Sequence, residues 1–100
     1  MSRITHMVTF TLYAGKDTPE AEAFLTESSD ALAAIPGVEQ FQVLKQVSEK
    51  NEFDYSFSMV FADQAAYDAY NNHPVHRQYV EERWEKEVSR SQEIDLIKHN

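Results

Sequence analysis

Phe53-Asp54-Tyr55-Ser56-Phe57-Ser58-Met59-Val60-Phe61 puts an apolar or aromatic side chain at every odd position. A period of two marks a strand buried on one face, because a helix would scatter those side chains around its circumference. The polar run Ser48-Glu49-Lys50-Asn51-Glu52 precedes it. That run is short enough for a hairpin to a partner strand over 39–47, through Phe41 and Val43.

Working upstream, Pro36-Gly37 stops a helix: the ring disfavours a helical residue before it, and the glycine tolerates the turn that follows. That helix starts at Thr18-Pro19-Glu20, an N-cap, a proline at the first helical position and an acid favoured by the helix dipole. Between these signals Ala21, Phe24, Leu25, Ser28, Leu32 and Ile35 recur at three- and four-residue steps, so one stripe packs. Before it, residues 3–13 alternate again, with Ile4, His6, Val8, Phe10 and Leu12 on one face.

Downstream, Asp63 caps a helix carrying Ala66, Tyr67 and Tyr70, which Asn71-Asn72-His73-Pro74 interrupts. Helix resumes from Val75 to about Glu87, with His76, Tyr79, Val80, Arg83 and Trp84 on a broad inward face and a Glu82–Lys86 pair on the outside. Ile94 and Leu96 then alternate with Glu93 and Asp95 as a last strand. Strand, helix, strand, strand, broken helix, strand is an α+β, ferredoxin-like βαββαβ order. It predicts one domain over 1–100 with a four-stranded antiparallel sheet and both helical segments on one face. The other face carries Met7, Tyr13 and several threonines rather than a charged lawn, so a second copy is expected to cover it.

The composition narrows the partners. Seventeen acidic against nine basic residues give a net charge of -8, and such a field repels phosphate backbones and anionic lipid, so neither nucleic acid nor membrane is expected. With no cysteine, thiolate metal sites, disulfides and cysteine nucleophiles are excluded, which suits the cytoplasm. The start, Met1-Ser2-Arg3-Ile4-Thr5-His6, lacks the apolar core of a secretory signal. Two glycines, Gly15 and Gly37, build no phosphate loop.

Candidate chemistry lies in the histidines and tyrosines. His6 is in phase with Ile4, Val8 and Phe10, so its imidazole is expected beneath the helices, as a hydrogen-bonded core residue or as a ligand contact. His76, a turn into the resumed helix, can meet it from the other side together with Tyr70. His73 reads as a helix-start residue before Pro74, and its i,i+3 spacing to His76 makes only a weak metal motif without a third ligand. The aromatic stripe of 53–61 is mainly packing, with Tyr55 and Phe57 as added ligand-contact candidates because a buried phenol needs a partner. No cofactor and no metal are expected.

The first strand Ile4-Thr5-His6-Met7-Val8-Thr9-Phe10, the exit Ile35-Pro36-Gly37-Val38, the strand end Val60-Phe61-Ala62-Asp63, the run Tyr70-Asn71-Asn72-His73-Pro74-Val75-His76 and the terminal Ile94-Asp95-Leu96 together resemble the stress-responsive dimeric α/β-barrel (Dabb) family over nearly the whole chain. The resemblance implies a homodimer whose sheets close into a barrel, each chain holding a small cavity between sheet and helices. Most members have no assigned reaction. A plant member performs a cofactor-independent aldol cyclisation with a tyrosine and histidine that fall at Tyr70 and His76, and a first-strand histidine that falls at His6; Ser28 and Tyr55 stand where it has a further tyrosine and histidine. Similar dimeric ferredoxin-like folds also serve as cofactor-free monooxygenases. The reading is therefore a homodimeric barrel protein with a small-molecule cavity. The alternatives are a cofactor-free cyclase or isomerase using His76 and Tyr70 on a keto or phenolic substrate, and a structural or protective protein without a reaction.

Overall fold

The computed structural model describes residues 2–100. Strands β1 (Ile4–Leu12), β2 (Glu39–Lys45), β3 (Tyr55–Phe61) and β4 (Val88–Leu96) form one antiparallel sheet in the order β2-β3-β1-β4. Helix α1 (Pro19–Ala33) joins β1 to β2, while α2 (Gln64–Asn72), α3 (Pro74–Tyr79), a π-helical turn (Val80–Trp84) and the short α4 (Glu85–Glu87) join β3 to β4. The expected order and ferredoxin-like architecture are observed.

Local signals act where the sequence places them. The Thr18 hydroxyl accepts the Ala21 amide at 3.1 Å and an Asp63 carboxylate oxygen accepts that of Ala66 at 2.9 Å, each satisfying an otherwise orphaned helix N–H. His73 starts α3 in the same way, its Nδ1 accepting the Val75 amide at 3.1 Å. That nitrogen is thereby spent on the helix start. Gln40, at φ 51°, lies where the β2–β3 register shifts between Glu39 and Gln42, a bulge that bends the edge strand. The outer helix pair differs from expectation: Glu82 accepts from Gln78, and the ion pair forms one position on, between Arg83 and Glu87.

The core lies between sheet and helices. Phe10, Phe24, Phe57 and Phe61 are wholly enclosed, each worth about 1.5–3 kcal/mol of burial. Trp84 packs edge-on against Phe10 at 5.1 Å between ring centroids. Trp84 and Tyr79 are five residues apart, which a regular helix would set about 140° around its axis. The π turn, with its i→i+5 spacing, brings both to the same side.

Cross-strand pairing fixes what each sheet face carries, since directly opposed residues share a face. His6 faces Asp95 and Val8 faces Glu93, so two carboxylates of β4 lie on the helix side. Met7 faces Ile94 and Thr5 faces Leu96 on the open side, leaving Ile94 49% and Leu96 44% exposed. Among the described residues no helix is long and apolar enough to cross a membrane.

Candidate functional site

A cavity of about 170 Å³ lies between the sheet and the second helical layer. β1 contributes His6 and Val8, β3 contributes Phe57 and Met59, and β4 contributes Glu93. Leu32 of α1 closes one side. Tyr70, His76, Tyr79, Val80 and Trp84 form the roof. Most of this lining is apolar, with the polar groups gathered near the two imidazoles.

Each polar group has a structural reason for its place. His6 is held by strand alternation under the helices and is only 5% exposed. Its Nδ1 lies 2.6 Å from an Asp95 carboxylate oxygen, across the β1–β4 pair. The Tyr67 hydroxyl donates to the other Asp95 oxygen at 3.0 Å and sits 3.2 Å from the same Nδ1. With Nδ1 engaged, Nε2 is the ring nitrogen available to the cavity. Burial, with the Asp95 carboxylate adding to it, pushes the Tyr67 phenol up to about 12.

Tyr70 is carried one helical step beyond Tyr67 and meets His76 across the helix break, with ring centroids 4.5 Å apart. The His6 and Tyr70 rings are 6.4 Å apart. Burial holds the His76 imidazole below the usual histidine range; the Asn71 backbone opposes that shift and neighbouring His6 adds to it. His76 is therefore a neutral base near neutral pH. Burial likewise drives the phenols of Tyr70 and Tyr79 well above the usual tyrosine value, so both stay protonated as donors. Tyr79 donates to Ser28 Oγ at 2.7 Å.

Of the residues singled out from sequence, the structure brings His6, Tyr70, His76 and Phe57 to one cavity. Tyr55 is not there. Its hydroxyl accepts the backbone amide of Asp17 at 2.9 Å, anchoring a loop residue held at φ 59° whose carboxylate pairs with Lys45. Tyr55 thus anchors a loop, whose amide is the partner its buried phenol needed. Asp95, Tyr67, Glu93 and Trp84 are the participants the sequence reading missed. Placing Asp95 and Glu93 on the His6 face required the β4 register, since taking Ile94 and Leu96 as core would have sent both carboxylates outward. Among the described residues no group of three or more His, Cys, Asp or Glu side chains is placed to hold a metal ion.

A ferredoxin-like sheet with its helices on one face and a small, mainly apolar cavity between the layers defines a class of small α+β domains. Within it, the chain belongs to the stress responsive A/B barrel domain (Dabb) family, whose model matches residues 4–98. A Dabb family protein of ferredoxin-like fold from Mesorhizobium loti MAFF303099 is 42% identical, with 100% of each chain covered and a TM-score of 0.97. A dimeric ferredoxin-like protein of unknown function from Thermobifida fusca YX is 19% identical, covering 97% of this chain and 92% of its own, with a TM-score of 0.75. The hydroxynitrile lyase of Passiflora edulis shares the fold at 9% identity, covering 98% and 94%, with a TM-score of 0.82. Comparison with curated proteins gives no significant match.

Proposed function

We propose that this Dabb protein is a homodimer in which each chain binds a small molecule about the size of one aromatic ring, held by His6, Tyr70 and His76. The observation that carries this reading is the convergence of two imidazoles and a phenol on one otherwise apolar cavity of about 170 Å³. A dry cavity of roughly 150 Å³ accepts benzene, whereas drug-sized ligands occupy about 300–1,000 Å³, so a long-chain substrate is disfavoured. The dimer is supported by the half-exposed Ile94 and Leu96 beside Met7 and by the dimeric relative of the same fold. The cytoplasm is the proposed compartment, consistent with a chain without cysteine.

Trp84 is the single tryptophan and lines the cavity, so its fluorescence reports occupancy. Titration with phenol is expected to change Trp84 emission saturably, and His76→Ala is expected to weaken binding while the dimer persists. Unchanged binding in that variant removes the site and leaves the structural or protective reading.

A second reading, a cofactor-free lyase or isomerase, is favoured by one observation: a depressed imidazole in contact with a protonated phenol, His76 beside Tyr70. The imidazole takes a proton from a carbon between two carbonyls, the C–H electron pair forms the enolate, and the Tyr70 hydroxyl donates to the developing oxyanion. The fold supports lyase chemistry in Passiflora edulis, although fold alone does not carry function. Solvent deuterium exchange at the central carbon of a small 1,3-diketone should be accelerated by the protein and not by His76→Ala. Equal rates with and without protein would discard this reading.

A further inference from the structure

The geometry points to a cavity that selects uncharged aromatic molecules able to donate a hydrogen bond, the phenol class, and rejects the matching carboxylates, with Glu93 as the discriminating residue. This deepens, and rests on, the reading of the cavity as a one-ring binding site.

The polar atoms around the cavity are unequal in kind. A carboxylate only accepts, so the 2.6 Å contact with Asp95 places a proton on His6 Nδ1 and leaves Nε2 as the ring nitrogen for the cavity. Neutral His76 supplies a lone pair. Its Asn71 backbone contact favours the protonated ring, as a carbonyl accepting from its N–H does. Glu93, directly opposite Val8 in the β1–β4 pairing, brings a carboxylate to the same wall, and its charge acts on both His76 and Tyr70. Donors are scarcer. The Tyr79 hydroxyl is spent on Ser28, so among the described lining side chains the Tyr70 hydroxyl and the Trp84 indole N–H are the donors left for a ligand.

No lysine or arginine stands among the described lining residues. Arg83, on the adjacent π turn, is already held by Glu27 at 2.7 Å and Glu87 at 2.5 Å. An anion entering this space would shed hydration, face Glu93 and the lone pair of His76, and find no lysine or arginine in return. The net charge of -8 opposes its approach as well. A phenol meets none of these penalties: its O–H donates to an imidazole lone pair, its oxygen accepts from Tyr70, and its ring lies on the apolar wall of Phe57, Met59 and Trp84.

Calorimetric titration of the protein at pH 8 with phenol, anisole and benzoate tests this, because the three share a ring and differ in donor and charge. Phenol is expected to bind on the order of tenfold more tightly than anisole, which has no donor hydrogen, and than benzoate. Glu93→Gln, on an exposed edge strand, should narrow the phenol–benzoate gap by about fivefold and leave the phenol–anisole gap in place. Anisole or benzoate binding as well as phenol overturns the selectivity while the one-ring site stands. An unnarrowed gap in Glu93→Gln removes the role of that residue. Binding of none of the three overturns both this inference and the site beneath it.

Discussion

Replacing Asp95 by alanine removes the acceptor from a buried imidazole, and the structure sets the size of the effect. The His6 ring is only 5% exposed, so an Nδ1–H left without a partner is not rescued by solvent. A charge-assisted hydrogen bond of this kind contributes about 1.5–3 kcal/mol. Two features lower that figure here. The Asp95 side chain is 42% exposed, which screens its charge. The Tyr67 hydroxyl, 3.2 Å from Nδ1, can also take over as acceptor. The expected loss is about 1–2 kcal/mol, or a fall in melting temperature of roughly 5–15 °C for a domain of this size. It should be measured by thermal unfolding at fixed protomer concentration, since the proposed dimer would add to the apparent stability. Combining Asp95→Ala with Tyr67→Phe should cost more than the sum of the two changes, because each is the other's substitute. A purely structural contact would produce the same melting shifts, so the decisive readout is the His6 tautomer by nitrogen-resolved NMR. The neutral wild-type ring should carry its proton on Nδ1, and Asp95→Ala should give a mixture. A wild-type ring protonated on Nε2, or an unchanged melting temperature, would refute the positioning role of Asp95.

Three further outcomes are expected. Ile94→Glu places a carboxylate on the proposed dimer face and should weaken self-association by at least about a hundredfold in analytical ultracentrifugation; an unaltered dimer would move the interface away from the open sheet. The His76 imidazole, faced by His6, Glu93 and Tyr70, is held below its ordinary value of about 6.5, so the unfolded chain binds the extra proton first. Its share of stability is complete above about pH 6.5 and is lost as pH falls towards the folded-state value, and urea unfolding at pH 7.5 and 5.5 should show a smaller loss for His76→Gln than for wild type. Tyr79→Phe leaves the fully buried Ser28 hydroxyl without its donor and should cost about 1–2 kcal/mol in the same assay, part of it recovered on adding Ser28→Ala.

The fold was readable because local and long-range preferences agree. Thr18-Pro19 starts a helix, Pro36-Gly37 stops it, and the odd-numbered stripe of β3 could only be a strand with one apolar face. The site was half readable. His6 could be placed because strand alternation is rigid, and Tyr70 and His76 because they flank a helix break that bends one towards the other. Asp95 was hidden, since its face depends on whether Ile94 and Leu96 point to the core or to the open side, and only pairing with β1 decides that. The π turn was hidden too, because its spacing breaks the helical period by which such faces are recognised. Tyr55 shows a different dependence: the partner that its buried phenol needs, the Asp17 loop amide, is 38 residues away in sequence and known only from the fold.

The central claim is that the space under the second helical layer is a ligand site centred on His6, Tyr70 and His76. A crystal of the protein soaked with phenol tests it most directly. The account predicts the ring inside the cavity, against Phe57 and Trp84, with its oxygen within hydrogen-bonding distance of the Tyr70 hydroxyl and an imidazole nitrogen. Phenol on the open sheet face only, with the cavity unfilled at saturating concentration, would contradict it.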